Sequence, residues 1–265
     1  MTTITTQQHW MTVPEGRLFA QSWTPSDNAG SEGSAPIVML HESLGSVALW
    51  RDFPAQLAQA TGRRVVAYDR LGFGQSDARQ GLPDLDFVAQ EATRYFPAVC
   101  EQLQLARYVL LGHSVGGGMA VEIAARASSE CRAVVTIAAQ VLVEPHTLAG
   151  IREARARFQE AEQLTRLAKY HGDKARWVVD AWTETWLSPA FADWSLDNSL
   201  PRLTCPLLAL HGELDEYGST AQPARIARLA GGGGLCEILP GARHMPHREM
   251  PEQVLSHITQ FLKSV

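Results

Sequence analysis

Short apolar runs alternate with longer mixed stretches along most of the chain. Runs at 37–40, 64–68, 108–111, 133–137, 207–210 and 235–239 are rich in Val, Ile and Leu, the composition of strands with both faces covered. Between them, 53–60, 85–103, 117–126, 222–229 and 251–262 read as helices, the first stopped near Gly62. Such alternation predicts a mostly parallel sheet with crossover helices, an α/β fold. Pro97 falls inside the longest helix and predicts a kink there. The opening differs: 9–13 and 17–23 flank the turn sequence Pro14-Glu15-Gly16 and predict an antiparallel hairpin. Residues 26–35, rich in Gly, Ser, Asn and Asp, predict a surface loop.

From about residue 144 to 200 the rhythm breaks. This stretch predicts several helices and no strand, and it holds Trp177, Trp182, Trp186 and Trp194. The expected organisation is a core of residues 1–143 and 201–265 with a helical cap, 144–200, inserted in it. Trp182 and Trp186 are four apart and share a helix face. Together with Leu187 and Phe191 they are the expected lining of an apolar or aromatic substrate pocket, the remaining cap aromatics serving its packing.

Composition narrows the function. The 265 residues suffice for one sizeable core, and 45% hydrophobic with 19% charged residues is ordinary for a globular protein. A net charge of −5 gives no basic face for nucleic acid. No run of eighteen apolar residues predicts a membrane span, and residues 1–10 do not resemble a secretory signal, so the cytoplasm is expected. Cys100, Cys131, Cys205 and Cys236 are irregularly spaced, three of them in or beside strand-like runs. They are expected to be buried thiols rather than a disulfide framework or a zinc site.

Candidate chemistry centres on Gly112-His113-Ser114-Val115-Gly116. A Gly-x-Ser-x-Gly run alone occurs by chance in about one chain in ten of this length. Its setting adds weight: a strand precedes it and a helix follows, the arrangement that lifts a serine hydroxyl above a sheet edge on a strained turn. Glycines at 112 and 116 leave room for that turn. The helix N-terminus behind Ser114 lets the Val115 N–H donate to a developing oxyanion. A serine nucleophile also needs a base and an acid to orient it. Asp215 follows the strand at 207–210, with Glu213, Glu216 and Glu144 as rival acids; His244 follows the strand at 235–239, with His247 as rival base.

These residues, with His41, the run Tyr68 to Asp77 and His244-Met245-Pro246-His247, resemble the α/β-hydrolase superfamily over essentially the whole chain. The resemblance implies a triad of Ser114, Asp215 and His244 and an oxyanion hole from the backbone N–H groups of Ser43 and Val115. It implies a serine hydrolase of small carboxylic esters, thioesters or lactones, working through an acyl-enzyme with no metal or organic cofactor. A small-molecule substrate and a monomer or homodimer are expected. Rival readings are C–C bond hydrolysis or cofactor-free perhydrolysis on the same triad, and a non-catalytic receptor on the same fold. Neutral His244 as base predicts activity rising through an apparent pKa near ~6.5.

One position departs from the family. Relatives commonly carry Gly after the first-loop histidine, whereas this chain has His41-Glu42-Ser43-Leu44-Gly45. A carboxylate inside the hole would repel the charge to be stabilised. Glu42 is therefore expected to turn away and to be paired, with Arg51 or Arg70 as partners.

Overall fold

The computed structural model describes residues 3–26, 34–127 and 129–265; part of the loop expected at 26–35 (27–33) lies outside them. Among the described residues, eight strands form one sheet: β1 (Ile4–Val13), β2 (Gly16–Pro25), β3 (Ile37–Leu40), β4 (Val65–Tyr68), β5 (Tyr108–His113), β6 (Cys131–Ile137), β7 (Leu207–Gly212) and β8 (Gly234–Leu239). Their order is β1-β2-β4-β3-β5-β6-β7-β8. β1 and β2 pair antiparallel from Ile4 opposite Pro25 to Val13 opposite Gly16, and β2 is antiparallel to β4. Every other pairing is parallel. The hairpin is longer than its apolar pattern because residues 5–8 are exposed; backbone pairing, not side-chain burial, extends it.

β3, β4 and β5 are buried at every position, which is why they read as unbroken apolar runs. On one face, α1 (Phe53–Thr61) and α10 (Pro251–Leu262) share a cluster. Val254, Ile258, Phe261 and Leu262 form the inward stripe of α10, each burial worth about 1.5–3 kcal/mol. On the other face, α4 (Val115–Ala124) and α8 (Ala221–Leu229) pack over the sheet through Met119, Val121 and Ile226.

The helix expected over 85–103 is three pieces: α2 (Phe87–Gln90), a π-helical turn at Glu91–Tyr95 and α3 (Phe96–Gln102). Pro97 has no N–H to give, and the widened turn hands the Phe96 N–H to the Glu91 carbonyl. The irregularity thus lies before Pro97 rather than at it. Buried Glu91 there accepts the Tyr68 hydroxyl at 2.6 Å, joining the turn to the end of β4.

Between β6 and β7 the chain leaves the sheet as α5 (Pro145–Arg157), α6 (Ala161–His171) and α7 (Ala175–Trp186). A β-bridge from Leu142 to Ser195 closes the neck of this excursion. Its far end is pinned to core loops: His171 accepts the Gly74 N–H at 2.9 Å and donates to the Leu44 carbonyl at 2.9 Å. Burial lowers the His171 pKa to about 4, so the imidazole is neutral and can do both. The thiol expectation needs a correction. Cys131 and Cys205 are buried and Cys100 half-buried, but Cys236 is exposed because β8 is a sheet edge. Among the described residues no helix is long and apolar enough to cross a membrane.

Candidate active site

The chain runs from β3 out to β4 and later returns to β5 on the opposite side of β3. Loops beyond the carboxyl ends of β3 and β5 therefore diverge, and a crevice opens between them. Ser114 sits at the end of β5 with φ 52° and ψ −125°, a region a non-glycine residue enters only under constraint. Two backbone hydrogen bonds hold it there: Ser114 N–H to the Ile137 carbonyl and Gly117 N–H to the Ser114 carbonyl, both 2.8 Å. The turn closes so tightly that a Cβ on Gly112 would lie 2.1 Å from the Gly116 carbonyl oxygen. α4 begins directly after Ser114, two residues earlier than expected, leaving the Val115 N–H without an intrahelical partner.

The loop after β3 is set by its first histidine. His41 Nε2 accepts the Arg70 N–H at 3.1 Å, so Nδ1 carries the hydrogen and donates to the Glu42 carbonyl at 2.7 Å. Burial, with the Arg70 charge beside it, holds His41 well below the usual imidazole range and keeps it neutral. Arg70 Nη2 donates to the same carbonyl at 3.0 Å. In a planar trans peptide the next N–H points opposite to the carbonyl. Clamping the Glu42 carbonyl from one side therefore aims the Ser43 N–H the other way.

Asp215 and His244 meet at the ends of β7 and β8. Both carboxylate oxygens of Asp215 lie 2.9 Å from His244 Nδ1, and Oδ1 also accepts the Tyr217 and Gly218 N–H groups at 2.7 and 3.2 Å. Burial opposes the Asp215 charge, but His244 and these donors outweigh it and hold its pKa below the usual carboxylate value. Burial likewise opposes a charged His244; Asp215 overcomes this and raises its pKa above 6.5. The rival groups serve the loops instead. Glu213 accepts the Gly241 N–H, Glu144 takes the Ser219 N–H and hydroxyl, and Glu216 receives the His244 backbone N–H at 3.3 Å. His247 is buried against Trp50, Phe53 and His113, its pKa pushed by burial down to about 3. His113 donates to the His244 carbonyl at 2.8 Å.

Ser114 and His244 line one cavity of about 280 Å³. Its apolar wall comes from Leu44 and from the inserted helices, through Ile151, Trp182 and Trp186. Glu42, Ser43, Gln140, Glu216 and Tyr217 face it from the core, and no lysine or arginine does among the described residues. The Ser114 hydroxyl donates to Gln140 Oε1 at 3.3 Å.

A family model described as the alpha/beta hydrolase fold matches residues 35–197. The chain belongs to that family. This hydrolase is 22% identical to the monoglyceride lipase of Mus musculus over 253 residues, 89% of this chain and 82% of that protein. Among solved structures it is similar to the enol-lactonase of Burkholderia xenovorans LB400, with a TM-score of 0.73, 20% identity, and 96% of this chain and 100% of that one covered. Carboxylesterase CesB of Bacillus subtilis gives a TM-score of 0.73 at 21% identity, covering 99% of this chain and 93% of that one.

Two expectations for the hydrolase's site need correction. Trp182 and Trp186 line the cavity, but Leu187 and Phe191 do not. Phe191 is buried and stacked on Trp194 at 5.4 Å, with Trp186 edge-on at 5.2 Å; this aromatic trio fills the base of the inserted segment. Leu187 follows the end of α7 and packs on the main core. The Glu42 carboxyl folds back over Gly45, and neither Arg51 nor Arg70 forms an ion pair with it. Arg70 is engaged by the Glu42 backbone carbonyl, and the foremost positive neighbour of the carboxyl is Arg248. Gln140, Tyr217 and Thr147 at the cavity carried no sequence signal; Gln140 is delivered by Ala138, a non-glycine residue at φ 52°.

Proposed function

We propose that this hydrolase cleaves a small, uncharged carboxylic ester, thioester or lactone with an apolar or aromatic part, through an acyl-enzyme on Ser114. The observation that carries the reading is the pairing of buried Asp215 with His244 at 2.9 Å, His244 lining the same cavity as Ser114. Ester and lactone chemistry accords with the lipase, enol-lactonase and carboxylesterase relatives. Glu42 and Glu216 at the cavity, without a facing cation, disfavour a carboxylate-bearing substrate such as a dienone acid.

In the proposed reaction, the substrate turns the Ser114 hydroxyl from its long bond with Gln140 toward His244 Nε2. Oγ attacks the carbonyl carbon, and its proton passes to Nε2. The carbonyl oxygen becomes an oxyanion held by the Ser43 and Val115 N–H groups, and Asp215 stabilises the imidazolium. Collapse expels the leaving oxygen or sulfur, which takes the proton from Nε2. Water then attacks the acyl carbon, giving its proton to His244, and Ser114 recovers that proton as the acid leaves. Trp182, Trp186 and Ile151 enclose the acyl or leaving group.

Only neutral His244 accepts the Ser114 proton, and Asp215 stabilises the charged form. The rising limb of kcat/KM against pH is therefore expected above 6.5 rather than at it. Asp215→Asn removes the anion that raises the imidazole pKa. It should shift the limb acidward and lower kcat by about 10³–10⁴-fold; a limb unmoved in the variant counts against the pairing. The function itself is tested by labelling with a fluorophosphonate and by a panel of aryl esters, thioesters, lactones, dienone acids and acids offered with peroxide. Stoichiometric labelling with fastest turnover of neutral esters or lactones supports the proposal. Dienone-acid cleavage or peracid formation outpacing ester hydrolysis, or a chain inert to the label, refutes it.

A further inference from the structure

Glu42 precedes Ser43 in the loop after β3 and is half-buried, and its enclosed carboxylate oxygen Oε2 has no hydrogen-bond partner. The side chain folds back over its own loop. A Cβ placed on Gly45 would lie 2.5 Å from Oε2, so the carboxyl fills the space that glycine leaves open. The Leu44 N–H faces it. Behind the loop lies a second, small cavity of about 10 Å³, room for about one water, walled in part by Glu42, Gly45, Trp50, His247 and Arg248.

Four buried polar atoms belong to these walls and lack a protein partner: Glu42 Oε2, Trp50 Nε1, His247 Nδ1 and Arg248 Nε. Trp50 Nε1 and Arg248 Nε are donors only. Glu42 Oε2 is an acceptor, and neutral His247 offers Nδ1 as another in the tautomer that carries its hydrogen on Nε2. Two donors and two acceptors are the complement of a single tetrahedral water. Arg248 belongs to α9 (Pro246–Glu249), four residues beyond His244, and its Nη2 donates to the Leu49 carbonyl on the other side of the same loop. The segment bearing the base and the loop bearing Ser43 thus meet at these groups.

We propose that Glu42 is a positioning residue of the oxyanion loop, tied through Arg248 and one bound water to the segment that carries His244. The proposal rests on the serine-hydrolase reading above. Glu42 keeps the Ser43 N–H in register with Ser114 while touching no reacting atom, so its loss affects transition-state binding and spares substrate binding.

The test uses p-nitrophenyl butyrate as substrate and phenylboronic acid as a mimic of the tetrahedral oxyanion. Glu42→Ala should lower kcat about 30–100-fold with KM within about threefold, and weaken phenylboronic acid by the same factor as kcat. Glu42→Gln keeps the volume and an acceptor and should recover most of the loss. Arg248→Met should resemble Glu42→Ala, and the double variant should be no worse than the poorer single one. Unchanged kcat in Glu42→Ala, a loss carried by KM with boronate affinity intact, or additive losses would each overturn the proposal. Should Glu42→Ala fail to fold, the cycle of Glu42→Gln with Arg248→Met gives the same decision. A crystal structure of the wild-type protein should place one water within hydrogen-bonding distance of Glu42, Trp50 and Arg248; a dry site overturns the tie. If wild-type protein neither turns over the ester nor takes the fluorophosphonate, the serine-hydrolase reading falls, and that crystal structure alone decides the tie.

Discussion

Ser114→Ala is expected to lower kcat on an aryl ester by about 10⁵–10⁶-fold while leaving KM and the melting temperature nearly unchanged. The size follows from the division of labour at the elbow. In the proposed mechanism, without Oγ no acyl-enzyme forms, His244 has no proton to take, and the remaining rate is what the Ser43 and Val115 N–H groups can give to direct attack by water. Removing the base as well should cost little more, because the two groups act as a unit. Stability should be spared because the hydroxyl makes one 3.3 Å bond to Gln140, while the turn is held by main-chain bonds that alanine keeps. The strain at φ 52° is common to serine and alanine. Measured turnover, fluorophosphonate incorporation and thermal denaturation check all three statements; a variant that keeps a tenth of the activity would rule out Ser114 as the nucleophile.

Gly116→Ala is expected to destabilise the protein by about 3 kcal/mol, lowering the melting temperature by roughly 6–12 °C. The sign is informative, because propensity argues the other way: in a helix interior alanine is better than glycine by about 1 kcal/mol. Here a Cβ would lie 2.2 Å from the Leu40 carbonyl oxygen and 2.7 Å from that of His41, both main-chain atoms that cannot rotate aside. Either α4 or the end of β3 must retreat by about 1 Å, and the loop carrying Ser43 retreats with it. A misplacement of that size costs about 100-fold in kcat. Differential scanning calorimetry and steady-state kinetics read both effects. A melting temperature equal to or above that of the parent protein would contradict the close approach of α4 to β3.

The parts of the fold that could be read from the sequence are those where one force dominates. β3, β4 and β5 are apolar at nearly every position because both faces are covered, and the hairpin turn shows because Pro14 fixes its φ and Gly16 takes a positive one. The start of α4 is obscured by Gly116-Gly117-Gly118, which oppose a helix by propensity, although Gly116 and Gly117 are needed where the helix meets β3 and Ala139. Asp215 and His244 were legible by their place after successive strands. Their rivals Glu144 and Glu216 could be separated only by seeing which backbone N–H each one receives. Phe191 misled because an aromatic residue reads alike in a cavity wall and in a stacked trio. Arg248 gave no signal as a partner of Glu42, since about two hundred residues of chain lie between them and only the fold brings them together.

The neck at Leu142 and Ser195 has a consequence for how such a protein can change. The excursion leaves β6 and returns to its immediate neighbour β7, so its two ends stay together whatever lies between them. Most of the hydrophobic wall of the cavity is carried in that excursion, while Ser114, Asp215, His244 and Ser43 stand on loops of the sheet. Under the proposed function, changes at Ile151, Trp182 and Trp186 would alter which molecules fit and leave strand register alone, provided His171 stays to hold the Gly74 and Leu44 loops. On that reading, appetite and reactivity are written largely in separate stretches of this chain, joined at His171.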